Sequence, residues 1–105
     1  MVEEYNFIRL RVRVERTGIR DEEEVRRILR ERGYSVYTWS DPAGTYYPTH
    51  THRDREVRWV VEGEVVMGVD GEEILLREGD MIELEPETPH WAKTDKGVKY
   101  VCGSK

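Results

Sequence analysis

The stretch from Gly44 to Gly63 constrains this chain more than any other part of it. It holds His50, His52 and Glu56, separated by even numbers of residues. In an extended segment, alternation of side chains would point all three to one face. Two imidazoles and a carboxylate on one face supply what a divalent cation needs: neutral nitrogen donors and one negative oxygen at short reach. His90 is a fourth donor further along. The chain has 3 histidines, so these positions account for all of them. A lone histidine is usually a hydrogen-bonded core or surface residue, but that reading is weak when every histidine sits in a donor pattern.

The surroundings read mainly as β-structure. Residues 5 to 16 alternate, with Ile8, Leu10, Val12 and Val14 against Arg9, Arg11, Arg13 and Glu15, as in a half-buried strand. Such a strand covers a sheet edge or reaches across to a second subunit. Residues 21 to 32 form the one convincing helix, with Asp21 as N-cap, Glu24 at the capping-box position and Gly33 as the stop. Its thin stripe of Val25, Ile28 and Leu29 suits a helix that braces a sheet from outside. Beyond Tyr34, short β-rich runs are separated by turns at Asp41–Gly44, Asp70-Gly71, Glu78–Asp80 and Asp95–Gly97. Asp70-Gly71 is a strong two-residue hairpin signal. Short strands with frequent turns indicate a sandwich or small barrel.

Composition removes several classes of partner. Lys and Arg number 17 against 22 Asp and Glu, a net charge of −5 that argues against nucleic acid and anionic membrane. No apolar run is long enough to span a bilayer, and the start, Met-Val-Glu-Glu, lacks the features of a signal peptide. The single cysteine, Cys102, cannot form an internal disulfide and fits a reducing compartment, so a cytoplasmic location is expected.

The spacing Gly44-x5-His50-x-His52-x3-Glu56-x6-Gly63 resembles the first motif of the cupin family at every defined position. The second motif is matched more loosely: Gly79 and His90 are in place, whereas Glu85, Glu87 and Thr94 stand where Pro, Gly and Asn are common. The resemblance covers roughly residues 35 to 102. It implies a single-domain jelly-roll β-barrel over 35–105; the N-terminal strand and helix of 1–34 lie outside it and are expected to pack on the barrel or on a partner subunit. It also implies that His50, His52, Glu56 and His90 bind one divalent metal: iron, manganese, zinc, nickel or copper. Glu85 and Glu87 are expected to be a solvated rim or to draw cations to the mouth.

Arg58, two residues after Glu56, should share its interior face. It is either a clamp for a substrate anion or a structural ion-pair partner. The run Glu56–Gly63 looks like the corresponding strand of acireductone dioxygenases. Tyr46 shares parity with His50 and is a candidate donor to a ligand, with core packing or a lid as alternatives. Trp59 lies on the opposite face, which must be covered, and is read as an inter-sheet or dimer surface. That face and the N-terminal strand together suggest a homodimer. Two functions follow: a small metal-dependent enzyme, dioxygenase- or isomerase-like, acting on an anionic or oxygen-rich small molecule, or a non-catalytic cupin module that holds a small ligand or metal.

Overall fold

A single strand runs through both sheets of the molecule. In the computed structural model, which describes residues 7–8 and 11–105, β5 spans Glu56–Val69. Its first half pairs with β7 (Asp80–Leu84) and β9 (Val98–Ser104), and its second half pairs with β6 (Glu72–Arg77) and β8 (His90–Lys93). The ladder to β9 shifts register between Val60 and Glu62, just before Gly63. Gly63 has φ of 79°, and a Cβ there would meet the Gly97 carbonyl oxygen at 2.2 Å. Only glycine lets the strand bend from one sheet to the other at this point.

The first sheet runs β1 (Phe7–Ile8), β2 (Val12–Arg16), β7, β5, β9, β3 (Ser35–Asp41). The second runs β6, β5, β8, β4 (Tyr46–His50). All pairs are antiparallel, and the two sheets form the jelly-roll barrel. β2 covers the β7 edge within this chain. Of the N-terminal alternating run, residues 5–6 and 9–10 lie outside the described residues. Arg11 pairs with Asp70 at 2.6 Å and Arg13 with Glu83 at 3.2 Å, so this polar face carries ion pairs.

Alternation along the strands of the first sheet sorts side chains into two cores. Val12, Val14, Val60, Ile82, Leu84, Tyr100 and Cys102 point into the barrel with Val65, Met67 and Leu76 from the second sheet. Val57, Trp59, Met81 and Val101 point the other way, onto α1 (Glu22–Glu31). The Asp21 carboxylate accepts from the Glu24 amide at 3.0 Å and caps the helix, and Gly33 ends it with φ of 91°. Val25 and Leu29 bury the expected stripe against Trp59.

Trp59 was expected on an inter-sheet or dimer surface and instead packs beneath the helix. It is 1% exposed, and its Nε1 donates to the Ile19 carbonyl at 2.8 Å. The helix and the segment leading into it supply the cover, so neither Trp59 nor β2 calls for a second subunit. Among the described residues, no helix is long and apolar enough to cross a membrane.

Replacing Gly63 by alanine should destabilise the fold by about 2 kcal/mol or more, from left-handed strain plus a backbone clash. Equilibrium denaturation checks this, and an unchanged midpoint would contradict the account of the bend.

Candidate metal centre

His50 ends β4 and His90 begins β8, and the two are direct partners across the β4–β8 pair. The His50 Nδ1–H donates to the Pro48 carbonyl at 2.7 Å, and the His90 Nδ1–H to the Thr88 carbonyl at 2.9 Å. A carbonyl only accepts, so each bond places the ring proton on Nδ1 and leaves the Nε2 lone pair available. Ring-nitrogen anchoring of this kind fixes the orientation of metal-binding histidines.

His52 comes from the loop between β4 and β5 rather than from a continuous strand, which differs from the extended segment expected over His50–Glu56. The chain bends at Arg53 and Asp54. Convergence therefore depends on how this loop is held. Glu87 N–H donates to the His52 carbonyl at 2.8 Å, Arg55 and Lys105 exchange backbone hydrogen bonds of 3.0 Å each, and Arg55 makes a two-pronged pair with Glu85 at 2.5 and 2.8 Å. Glu85 is thus an anchor for the loop and not a purely solvated rim. Glu87 has φ of 61°, the left-handed conformation that explains glycine's frequency at this place in the motif.

These constraints bring the donor nitrogens of His50, His52 and His90 to within 4.8 Å of one another. Ring centroids are 4.8 Å apart for His50–His52, 4.4 Å for His50–His90 and 5.1 Å for His52–His90. The Nε2 atom of His52 is buried and has no hydrogen-bond partner among the described residues. A buried polar atom without a partner is costly, and a cation among three imidazoles is the group that such an atom would satisfy. The donor set fits a divalent ion.

Glu56 is buried at the start of β5, and its Oε1 accepts from Arg58 Nη1 at 2.8 Å. Its carboxylate is not in the histidine group in this conformation. Arg58 shares the interior face as expected, pairs with Glu56, and lies 6.0 Å from the centroid of the Tyr100 ring. It lines a cavity of about 320 Å³ together with the three histidines, Tyr37, Trp39, Tyr47 and Tyr100. Trp39 and Tyr37 are 50% and 43% exposed, so they stand at the mouth.

Tyr46 does not reach this cavity. It is 57% exposed and packs near Trp91, with ring centroids 6.4 Å apart. The β4–β8 ladder shifts between Tyr47 and His50. Tyr47 pairs with Ala92 and His50 with His90, so one extra residue lies on β4 and the parity inverts. Tyr47 therefore takes the inward position. Proline at position 48, with no N–H for the ladder, is the sequence sign of that break. Asp41, read as part of a turn, is the residue that sequence reasoning missed: it is buried at the end of β3 and accepts from three aromatic side chains of the cavity wall.

Burial, followed by the positive influence of His50, His52 and Arg58, pushes the His90 pKa down to about 4, against an opposing hydrogen bond to Thr88. Burial likewise lowers His52, with Glu56 opposing. Both rings are neutral at neutral pH, as ligation requires. Burial pushes the Cys102 thiol up to about 11, so it is a protonated wall residue and no nucleophile.

The fold and this histidine cluster define a small β-barrel protein with a candidate metal centre at the barrel mouth. Residues 37–102 match the family described as Cupin domain, more than half of the chain, and the chain belongs to the cupin family. It is 34% identical over 70 residues to the acireductone dioxygenase of Leptospira biflexa, an alignment covering 58% of this chain and 40% of that protein. Among solved structures, it is similar to a RmlC-like cupin from Shewanella frigidimarina, with 29% identity and a TM-score of 0.62 over 68% of this chain and 65% of that one. It is also similar to the DMSP lyase DddQ from Ruegeria pomeroyi, with 27% identity and a TM-score of 0.64 over 69% of this chain and 38% of that one. The chain spans less than half the length of the dioxygenase and of the lyase.

Two outcomes are expected from this geometry. Glu87→Gly should raise stability by about 1 kcal/mol by relieving left-handed strain while keeping the backbone bond to His52, read as a shifted denaturation midpoint. The metal-free protein should lose stability as pH falls from 6.5 toward 4. In that window the unfolded chain binds the His90 proton and the folded chain does not, so unfolding takes up protons and acid favours it. A midpoint independent of pH across the window would refute the assignment.

Proposed function

We propose that this protein is a small metal-dependent enzyme in which His50, His52, His90 and Glu56 hold one divalent ion and the cavity receives an oxygen-rich small molecule. The observation that carries the reading is the buried Nε2 of His52, without a partner among the described residues, beside two histidines whose Nδ1 protons are already anchored. Iron, manganese, zinc, nickel and copper all suit such mixed donors. When bound, the ion supplies Lewis-acid or redox chemistry to a chelated substrate. The similarity to an acireductone dioxygenase supports a dioxygenase-like activity, and a chelating enolate or carboxylate head makes the ligand anionic at that end.

The chain's own residues then have distinct tasks. Pro48 and Thr88 carbonyls orient His50 and His90. Arg58 holds Glu56 by Oε1, leaving Oε2 as the atom Glu56 can offer, and balances its charge inside the cavity. The aromatic mouth limits water around the bound head. A buried, protonated Cys102 fits a reducing compartment and hence the cytoplasm.

A second reading, a non-catalytic module, draws on one feature: the remaining proton-bearing groups of the wall titrate high. Burial raises Tyr37, Tyr100 and Cys102, while the bond to Asp41 and burial raise Tyr47. None is a base near neutrality.

The test is metal analysis of protein reconstituted with each candidate ion, followed by oxygen consumption and turnover on enediols and keto acids. Stoichiometric metal is expected, with His52→Ala weakening affinity by more than the ~10–100-fold typical of losing an outer partner. Absence of stoichiometric metal after reconstitution would sink the proposal. Full metal loading without turnover would select the binding module.

A further inference from the structure

The cavity wall formed by Trp39, Tyr47 and Tyr100 is built on a carboxylate that the metal reading does not use. Asp41 is buried at the last position of β3. Its Oδ1 accepts from Trp39 Nε1 at 2.9 Å and from the Tyr47 hydroxyl at 2.6 Å, and its Oδ2 accepts from the Tyr100 hydroxyl at 2.9 Å. The three donors come from three strands, β3, β4 and β9, and all three rings line the cavity. Asp41 does not line it and stands behind them. Among the described residues, no Lys or Arg forms an ion pair with Asp41.

The consequence for a ligand follows from hydrogen-bond inventory. A tyrosine hydroxyl has one proton and two lone pairs. Tyr47 and Tyr100 both direct that proton to Asp41, so toward anything else each oxygen can only accept. Donation to a carboxylate polarises the hydroxyl and strengthens it as an acceptor. Tyr47 and Tyr100 both titrate above the ordinary range, Tyr47 chiefly through its bond to Asp41 and Tyr100 chiefly through burial, so neither loses its proton near neutrality. The ion pairing points the same way: Arg58, the cation of the wall, is already engaged by Glu56.

We propose that Asp41 is a positioning residue that makes the aromatic wall an acceptor surface, so that the cavity selects ligands whose far end carries a hydrogen-bond donor, a hydroxyl or ammonium group, over ligands whose far end is a carboxylate or phosphate. This rests on the preceding reading for the placement of the chelating end at the histidines. The ligand is then bipolar, with an oxygen-rich head at the histidines and a donor at the far end.

Three α-keto acids with one chelating head and different ends test it: δ-hydroxy-α-ketovalerate, its methyl isostere α-ketocaproate, and α-ketoglutarate. Affinities are measured by calorimetry and tryptophan fluorescence on zinc-loaded and metal-free protein. The hydroxy acid is expected to bind about fivefold more tightly than the methyl isostere, the size of one neutral hydrogen bond, and more tightly than α-ketoglutarate. Asp41→Asn keeps an oxygen for Trp39 and Tyr47 but turns an amide N–H toward Tyr100. Tyr100 must then accept from it and can direct its own proton into the cavity. The preference for hydroxyl over carboxylate should fall to one or invert. Tyr100→Phe, which leaves Asp41 in place, should also weaken the hydroxyl preference, and this second variant guards against a misfolded Asp41→Asn protein.

A wild type that does not bind the hydroxy acid, that favours α-ketoglutarate, or whose ranking survives both variants overturns the proposal. Zinc content of the same samples separates the two readings. Selectivity without zinc binding rejects the metal and keeps the acceptor wall, whereas zinc-loaded protein without selectivity does the reverse.

Discussion

The structure depends on one strand being shared by two sheets. β5 is flanked by β7 and β9 in its first half and by β6 and β8 in its second, and β2, β3 and β4 pair in turn with β7, β9 and β8. The bend at Gly63 makes this possible, because a straight strand could pair in only one sheet. In the first half of β5, Arg58 faces the cavity with Glu56 paired to it, and Val57 and Trp59 face the helix. The site and the helix-side core are thus two faces of one run of residues. Placing one correctly places the other.

How much of this was legible in the sequence depended on whether local geometry was regular. The helix, its Asp21 cap and its Gly33 stop were legible because capping chemistry is local. So was the Asp70-Gly71 hairpin, whose residues take φ of 52° and 79°. The interior position of Arg58 followed from strict alternation within β5. Tyr46 failed because the alternation was broken at Pro48, where one extra residue exchanges the two faces. Asp41 was hidden because Asp-Pro-Ala-Gly is a sound turn signal, and nothing local reveals that its carboxylate meets tyrosines from β4 and β9. The three histidines do converge, but through strand ends and a pinned loop rather than through the even spacing that first drew attention to them.

Inside the barrel, polar groups are arranged in partnerships that leave few free protons. Arg58 and Glu56 engage each other, Asp41 engages three aromatic donors, and two histidines engage backbone carbonyls. An interior of this kind is rigid, since each group must give up a bond in order to move. Among the buried side-chain atoms of the described residues, the exception is His52 Nε2. A satisfied network around one unsatisfied nitrogen is the arrangement of a preorganised binding site.

The loop carrying His52 is tied at both flanks, by the backbone exchange between Arg55 and Lys105 and by Glu85 and Glu87 from the segment before β8. Lys105 also reaches the end of the helix, its Nζ donating to the Arg32 carbonyl at 2.7 Å and lying 4.4 Å from the centroid of the Tyr34 ring. One residue thus couples the helix terminus, the loop and the strand that begins with Glu56. Opening of this corner is therefore coupled: freeing the loop breaks the backbone exchange of Lys105, the residue whose side chain holds the helix end. Release of His52 from its place beside His50 and His90 is governed by the whole corner, not by the mobility of a single loop.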